Sequence, residues 1–554
     1  MAENWHEPEE MSPPGGEFGA VLDEAHIGDI EGALGTIRQH DVGARRSWGA
    51  RILTLLAIIG PGLIVMVGDN DAGGVSTYAQ AGQNFGLSLL WTLPLLIPVL
   101  IVNQEMVVRL GAVTGVGHAR LISERFGRFW GLFSVVDLFV LNFLTIVTEF
   151  IGVSLALGYF GVSSYVSVPV AAVGLIAITA SGSFRRWERF MLLFVVANFL
   201  VIPLVIFSHP RLGPVVSGFF VPGIQGGVSS TAVLLIIAIV GTTVAPWQLF
   251  FQQSNIVDKR ITPRWINYER ADTVIGSLVT VFAATLIVAT AAFAFKGTRL
   301  FGRFSNAGGV ARGLEHYLGN GAGTLFSIVL LNASIIGAAA VTLATSYAFG
   351  DISGLKHSLH RGFADAKPFY ASFSGLVLLA AAIVLIPHAP LGVITTAVQA
   401  LAGVLLPSAT VFLLLLCNDR AVLGPWVNHP WLNVLSGVII SVLLALSFIL
   451  MATTVFPHLG ITVLIAVMAV VLVAGATASV VVALRMHGER KVALALATVP
   501  DRPRDTWRMP PLALLEPPRW TRGRKLTMYI LEAYLSLAVI LLVVKAVQLG
   551  TGHH

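Results

Sequence analysis

The chain has 554 residues, of which 55% are apolar and only 12% charged, and its mean hydropathy is +0.81. This composition excludes a soluble globular domain and predicts an all-α integral membrane protein with many spans. The single cysteine, Cys417, excludes a disulfide framework and any clustered thiolate metal site.

The N-terminal segment, residues 1–47, is polar and acidic. Residues 1–48 contain ten acidic and three basic residues, so they carry −7 and the rest of the chain +13, for a net charge of +6. This basic balance is typical of cytoplasmic loops that face anionic lipid and does not indicate nucleic-acid binding. We expect the acidic segment 1–47 to be a cytoplasmic tail. Apolar residues between Glu17 and Gln39 partly recur at helical spacing, so the tail forms either an amphipathic surface helix or an irregular segment.

Apolar stretches of membrane-spanning length predict thirteen spans, whose boundaries are defined to within a few residues. They are 52–83 (broken), 87–110, 130–159, 164–181, 190–208, 229–258 (broken), 268–295, 324–350, 369–387, 390–417, 431–455, 460–485 and 526–548.

Loop charges predict the orientation of these spans. Arginine and lysine cluster before the first span and after the second, fourth, sixth and eighth, and ten of them lie in 485–525. The opposite loops are nearly uncharged, apart from 296–315, which holds four basic residues. Because basic loops stay in the cytoplasm, we expect a cytoplasmic N terminus and a multi-pass protein of the plasma membrane.

The first span is interrupted by Gly68-Asp69-Asn70-Asp71-Ala72-Gly73-Gly74. A carboxylate at the bilayer centre costs at least about 2.5 kcal/mol, so two of them in one span need a compensating function. Glycine leaves the helical region readily, and broken helices at membrane depth are tolerated where the freed backbone lines an ion site. This stretch therefore predicts an unwound helix that holds a cation near the midplane; a helix end followed by a polar loop is the alternative.

The sixth span repeats this pattern at Gly241-Thr242-Thr243 and Ala245-Pro246-Trp247. Pro246 lacks a backbone donor and clashes with the preceding turn, so the helix kinks or breaks there. Two interrupted spans whose starts are five spans apart indicate an inverted 5+5 repeat with a binding site between the broken helices.

Several short motifs along the chain resemble those of a known family. They are Gly60-Pro61-Gly62, Asp71-Ala72-Gly73-Gly74, Ala81-Gly82-Gln83-Asn84-Phe85-Gly86, Arg109-Leu110-Gly111, Glu149-Phe150-Ile151-Gly152, Gln399 eight residues before Pro407, and Asn418-Asp419-Arg420. In this order the motifs resemble the NRAMP divalent-metal transporters over about residues 50–425. The resemblance implies a LeuT-like fold with broken helices 1 and 6. It implies a transporter core of ten spans at 48–425, and additional C-terminal spans at 426–554 with a basic cytoplasmic loop at 486–525.

The chain departs from the family at its metal ligands. The family's span-one asparagine falls on Gly74, and its span-six Met-Pro-His reads Ala245-Pro246-Trp247. The missing methionine is the soft ligand that suits Mn and Fe, whereas Mg²⁺ keeps several waters and needs room and oxygen ligands. One of the family's two span-three acids is replaced by Ile146, and Glu149 remains. This pattern is similar to the NRAMP-related magnesium transporters, a branch without proton coupling.

The resemblance also implies the site residues. Asp71 is the expected carboxylate ligand, or a helix cap. The carbonyl of Thr242 occupies the backbone-ligand position, and Gln399 offers an amide oxygen or makes an interhelical hydrogen bond. Gly74 and Ala245 are expected to leave room for hydrating water. Four further residues are expected to be accessory: Asp69 and Asn70 beside the site, Glu149 as a proton carrier or structural link, and Trp247 as a packing residue.

We therefore predict a Mg²⁺ carrier, also passing Mn²⁺, that works by alternating access without proton coupling. The alternatives are a proton-coupled Mn²⁺/Fe²⁺ carrier, a LeuT-like Na⁺-driven solute symporter, and a receptor that senses metal through its acidic tail. An enzyme is not expected, because the sequence shows no nucleophile–base pairing or cofactor fingerprint. We expect the metal ion and the lipid bilayer as partners, with no resident cofactor, nucleic acid or obligate protein partner.

Overall fold

The computed structural model describes residues 23–41, 43–387 and 390–455, together with 463, 466, 468–477, 480, 504–516, 518 and 525–536. Residues 1–22 of the predicted tail lie outside this part of the chain. About half of each predicted span 460–485 and 526–548 and most of the loop 486–525 also lie outside it.

The described chain is mostly helical, and its helices up to residue 455 are named in chain order. They are α1 (Trp48–Ile58), α2 (Pro61–Gly68), α3 (Ala72–Phe85), α4 (Thr92–Thr114), α5 (His118–Phe126), α6 (Arg128–Tyr159), α7 (Ser164–Thr179), α8 (Phe184–Ala197), α9 (Val201–Phe207), α10 (Leu212–Phe220), α11 (Ser230–Thr243), α12 (Pro246–Asp258), α13 (Ile266–Phe295), α14 (Ala307–Leu318), α15 (Asn320–Ser353), α16 (Lys367–Val384), α17 (Leu391–Cys417), α18 (Arg420–Leu423) and α19 (Pro430–Val455).

Most of these helices are apolar enough to lie in a bilayer. Within the described residues, nine helical stretches are long and apolar enough to cross a membrane, or ten with the bent pair α1 and α2. The sixteen-residue α7 and residues 468–477 form shorter apolar helices. The predicted succession of spans up to residue 455 therefore has a helical counterpart throughout.

The N-terminal segment does not form the amphipathic helix considered for Glu17–Gln39, at least from residue 23 onward. It contains a 3₁₀ turn (Glu24–His26) and a two-stranded antiparallel hairpin of β1 (Ile30–Gly32) and β2 (Gly35–Ile37), in which Ile30 pairs with Ile37. Glycine is costly inside a helix, and glycines at 28, 32 and 35 interrupt the helical spacing. The hairpin instead packs its glycines directly against Ala57 of α1.

The first span has two interruptions where the sequence predicted one. Besides the predicted break after Gly68, the chain turns by 54° between α1 and α2, where Gly60 has φ +154° and Pro61 starts α2. The apolar stretch that begins at residue 52 is therefore divided at Gly60 into α1 and α2. Proline suits the first helical position because a backbone N–H there has no acceptor within the helix, so its absence costs nothing. The carboxylate of Asp272 in α13 accepts the N–H groups of Gly60, Gly62 and Leu63 at 2.7–3.1 Å and so caps α2.

The sixth span breaks as predicted, between α11 and α12. Val244 closes α11, Ala245 is extended (φ −91°, ψ 146°), and Pro246 opens α12. All thirteen residues of α12 are buried, although six of them are polar: Gln248, Gln252, Gln253, Ser254, Asn255 and Asp258. A helix that is buried on every side yet carries polar groups indicates a route for a polar solute.

The helices pack as two groups. The first, here called the bundle, contains the broken spans: α13 packs against α2, α3 and α4, and α12 packs against α4. The second, here called the scaffold, consists of α6, α7, α15 and α16, with its largest interface between α6 and α15. Helix α17 touches both groups, at α11, α3 and α6. Both breaks lie where bundle, scaffold and α17 meet.

Close glycine packing between α3 and α13 gives the first testable prediction. A Cβ at Gly82 would collide with the carbonyl of Val288, whereas a Cβ at Gly174 on α7 meets nothing within 4 Å. We expect Gly82→Ala to lower thermal stability by an amount equivalent to about 1–3 kcal/mol of overpacking. Gly174→Ala should be neutral or slightly stabilising, because alanine is the better helix former. Thermal unfolding of the two purified variants would decide, and equal melting temperatures would contradict the packing.

Candidate metal site

The break in the first span is held by two carboxylates. Asp71 is the N-cap of α3, and its Oδ1 accepts the N–H of Gly74 at 2.6 Å. Glu149 of α6 accepts the N–H of Ala72 at 3.0 Å. Both side chains lie against Gly337 of α15, where a Cβ would sit 2.6 Å from Glu149 Oε2 and 2.8 Å from the Asp71 Cβ. The start of α3 is therefore tied to the scaffold through its first N–H groups, which a helix cannot satisfy internally.

Asp69 and Asn70 lie inside the break and are fully buried. The amide of Asn70 donates to the carbonyl of Thr280 in α13 at 3.1 Å, so this side chain anchors the break to the bundle. Neither carboxylate oxygen of Asp69 makes a well-formed hydrogen bond among the described residues, and the side chain of Gln248 is a nearby polar group. A buried carboxylate without a partner is costly, and such groups pair or bind a cation.

The break in the sixth span faces the first one. Thr242 and Thr243 end α11, and the amide of Gln248 donates to the carbonyl of Thr243 at 3.3 Å. The hydroxyl of Tyr78 on α3 lies 2.8 Å from Oγ1 of Thr243 and links the two broken spans. The hydroxyl of Thr242 is buried and has no partner among the described residues.

These groups converge on Gly73 and Gly74. A Cβ at Gly74 would lie 2.8 Å from the carbonyl oxygen of Asp69, 3.2 Å from Thr242 Oγ1 and 3.4 Å from Asp71 Oδ1. A Cβ at Gly73 would collide with the amide of Gln399, and it would lie 3.2 Å from Asp71 Oδ1. Three oxygens therefore surround the position that a side chain at residue 74 would occupy, and the expected room for hydrating water stays a prediction.

The structure gathers most of the residues that the sequence singled out. Asp71, Gly74, Thr242 and Gln399 meet at one point with Asp69, and Glu149 lies behind them. Ala245 is buried at the start of α12, in the second break. The remaining two side chains point elsewhere: Asn70 turns to α13, and Trp247 packs near Gly68, Ile336 and Ala340.

Tyr78 and Thr280 support the two breaks and were not identified from the sequence. Tyr78 joins α3 to α11, and the hydroxyl of Thr280 donates to the carbonyl of Met66 near the end of α2. Tyr78 lies seven residues after Asp71, two helical turns along the same face, which is a spacing that a helical projection of α3 would have shown. The position of Thr280 follows only from how α13 packs.

The atoms that meet at the site are the Asp71 carboxylate, the Thr242 hydroxyl, the backbone carbonyl of Asp69 and the amide of Gln399, whose nitrogen lies closest to Gly73. Among the described residues, no group of three or more His, Cys, Asp or Glu side chains is placed to hold a metal ion as a closed chelate. Hard cations such as Mg²⁺ bind through few protein oxygens and keep part of their water, and Mn²⁺ also accepts carboxylate and carbonyl oxygens.

Comparison with known proteins places the chain in a family. Residues 62–453, more than half of the chain, match the family model "Nramp: Natural resistance-associated macrophage protein-like". The Divalent metal cation transporter MntH of Aeromonas hydrophila is 27% identical over 414 residues, covering 71% of this chain and 94% of that protein. The protein of the same name from Xylella fastidiosa strain Temecula1 is 29% identical over 448 residues, covering 77% and 89%.

A solved structure agrees with this fold. The crystal structure of the Eremococcus coleocola manganese transporter matches with a TM-score of 0.60 at 20% identity, covering 80% of this chain and 97% of that one. The predicted fold class, an all-α membrane protein of LeuT-like architecture with broken first and sixth spans, is confirmed.

The cap that Asp71 forms can be tested apart from any ligand. In metal-free protein, we expect Asp71→Ala to cost about 1 kcal/mol of stability, because the N–H of Gly74 loses its acceptor. Asp71→Asn should retain most of that stability, since asparagine caps helices as well as aspartate does. Thermal unfolding in the presence of a chelator measures both. Equal destabilisation by the two substitutions would contradict the capping role.

Proposed function

This chain belongs to the Nramp family of membrane transporters, and from that premise we propose that it carries divalent metal cations by alternating access. One observation carries the proposal. The backbone carbonyl oxygen of Asp69, Oδ1 of Asp71 and Oγ1 of Thr242 converge between two broken spans. The carboxylate of Asp69 is buried and makes no well-formed hydrogen bond among the described residues. Broken helices that point their free polar groups at the midplane are the usual ion site of such carriers.

We further propose Mg²⁺ as the main substrate and Mn²⁺ as a second one. The related proteins are named for divalent metals and manganese, which favours Mn²⁺. The argument for Mg²⁺ rests on this chain's own residues: Ala245 stands where the family has a soft methionine ligand, and the atoms gathered around Gly74 are oxygens of Asp69, Asp71 and Thr242. A site without a soft ligand loses its advantage for Mn²⁺ and Fe²⁺ over Mg²⁺.

Transport without proton coupling is part of the proposal. Ile146 and Trp247 do not titrate, and Glu149 is engaged by the N–H of Ala72, which gives it a structural task at the start of α3. A membrane potential supplies about 2.3 kcal/mol per charge for each 100 mV, so a divalent cation needs no second driving ion to enter a cell.

The packing suggests how access would alternate. In the bundle, α2 ends at the first break and α12 begins at the second, while Glu149 and Gly337 belong to the scaffold. Rocking of the bundle against the scaffold would open the site to one side at a time. On loop charges, the proposal also places the N terminus in the cytoplasm and the protein in the plasma membrane, and it requires no resident cofactor or protein partner.

A proton-coupled Mn²⁺ carrier is the second candidate, and one observation favours it. Glu149 is fully buried and lies beside Asp71 at Gly337, so a cation at Asp71 would change the charge that Glu149 experiences. A coupled pair of carboxyl groups can exchange a proton when a cation binds.

Reconstitution in liposomes separates the two candidates. With internal Mg²⁺-sensitive and pH-sensitive dyes, we expect Mg²⁺ influx without acidification, and Mn²⁺ influx as well. Asp71→Asn should abolish influx although it keeps the helix cap, and Asp365→Asn, in the exposed loop before α16, should behave as wild type. Mn²⁺ uptake that acidifies the liposomes while Mg²⁺ is excluded would favour the second candidate.

Ala245→Met tests the ligand assignment directly. A thioether at this position should raise affinity for the soft ion Cd²⁺ by at least several-fold and reduce Mg²⁺ uptake. Ala382→Met, on the exposed face of α16, is the matched control and should change neither quantity. Isothermal titration with Cd²⁺ provides the measurement, and an unchanged affinity in Ala245→Met would argue against a ligand role for this position.

A further inference from the structure

The N-terminal segment binds the far end of α12. The ring of His26 is buried and lies 3.5 Å from the carboxylate of Asp258, the last residue of α12. The guanidinium of Arg260 donates to the carbonyls of Ala25 and Asp29 at 2.9 and 3.1 Å. Residues 23–37, here called the strap, are therefore attached to the bundle.

The same strap is attached to the scaffold. Asp23 is buried and accepts hydrogen bonds from the guanidinium of Arg361 at 2.5 Å and from the N–H of His357 at 3.2 Å, both in the loop between α15 and α16. Burial alone would raise the pKa of Asp23, but the hydrogen bonds from Arg361 and from the Ala25 N–H hold it below its ordinary value. Asp23 is therefore a carboxylate, buried on its own side of the ion pair, while Arg361 is partly exposed.

A third attachment joins the strap to the corner that precedes α2. Ala33, in the turn of the hairpin, donates its N–H to Glu188 at 2.5 Å and accepts from Arg189 at 3.0 Å. Glu188 is paired with Lys259 at 2.6 Å, and both are fully buried. Lys259 also donates to the carbonyls of Ile58 and Ile59, at the end of α1. The strap thus contacts α8, α12 and the α1–α2 corner at one end of the molecule.

Beneath the strap lies a closed polar mouth between bundle and scaffold. A cavity of about 10 Å³, enough for one water, is lined by His26, Gly117, Ser254, Tyr347, Asp351 and His357. Asp351 Oδ2 and both amide atoms of Asn255 are buried without a partner among the described residues. Asp258 accepts from the hydroxyl of Tyr347 at 2.5 Å, which joins α12 to α15 across this mouth.

The mouth lies at the end of the polar helix that leads from the metal site. Helix α12 runs from the second break to Asp258, thirteen residues or about 20 Å at 1.5 Å per residue. On the proposed mechanism, a cation that leaves the site along α12 passes between Asp258 and Tyr347 and then beneath His26. The strap contacts Asp258 of α12 and the loop that follows α15. Separating these two helices therefore breaks its contacts.

We infer that the strap is an inner gate: residues 23–37 lock the bundle to the scaffold at this mouth and have to release before the site opens to this side. The inference rests on the proposed alternating access. It gives the strap a gating task beside the direct hydrogen bonds that Tyr347, Ser358 and Leu359 donate to Asp258. The Asp23–Arg361 and His26–Asp258 contacts stabilise the conformation in which the mouth is closed. Losing them therefore shifts the carrier toward the conformation open to this side.

Cysteine labelling tests the gate without using any metal. Cys417 is buried, so Cys417→Ser supplies a background in which Ser254→Cys is the only thiol, placed in the mouth. In this background, Asp23→Ala combined with His26→Ala should raise the rate of labelling by a hydrophilic maleimide several-fold. Glu24→Ala, at the exposed neighbour of Asp23, is the matched control and should leave the rate unchanged. Equal rates with and without the strap contacts would overturn the inference.

A reversible cross-link keeps the test independent of folding defects. With cysteines introduced at Asp23 and Arg361 in the Cys417→Ser background, a flexible reducible cross-linker should stop Mg²⁺ and Mn²⁺ flux in liposomes, and reduction should restore it. Flux that continues in the cross-linked protein would contradict the gate. If no variant transports either metal but labelling still depends on Asp23 and His26, the gate stands and the proposed substrates fail.

Discussion

The structure depends on one constraint: a helix that breaks in hydrocarbon must find partners for the backbone groups it frees. At the first break, Asp71 and Glu149 take the N–H groups of Gly74 and Ala72, and Thr280 donates to the carbonyl of Met66. What remains unpaired at this point is the carboxylate of Asp69 and the hydroxyl of Thr242. The proposed metal site lies where these groups are left over once the broken backbone has been satisfied.

The same constraint makes α2 a separate unit. Asp272 holds the N–H groups at its start, and Lys259 holds the carbonyls at the end of α1, so side chains from other helices replace a continuous backbone at the corner. A short helix that is fixed by side chains at both ends can move without unwinding its neighbours. Because Lys259 also pairs with Glu188, which binds the strap at Ala33, motion of α2 and release of the strap involve one connected set of contacts.

Sequence reasoning succeeded where a pattern has one physical explanation and failed where two were available. Apolar length predicted the spans, and Asp69–Gly74 and Pro246 predicted the two breaks, because carboxylates and proline are hard to place inside a membrane helix. The weak periodicity of Glu17–Gln39 suggested a helix, but glycines at 28, 32 and 35 allowed a hairpin that α1 and α8 stabilise. The turn at Gly60 was missed because Pro61 fits either the start of a new helix or a continuing span. The choice depends on contacts from other helices: Asp272 caps α2, and Glu188 lies against Gly60.

The sequence by itself determined the membrane class, the broken first and sixth spans and the candidate ligands Asp71, Thr242 and Gln399, since each follows from local composition or from motif order along the chain. Only the tertiary structure decided which of those oxygens are free. Asp71 is engaged as a helix cap, Asn70 turns to α13, and Asp69, assigned an accessory place, carries the unpaired carboxylate. The strap over the mouth of α12 is likewise invisible in sequence, because Asp23 and Arg361 are more than three hundred residues apart and meet only through packing.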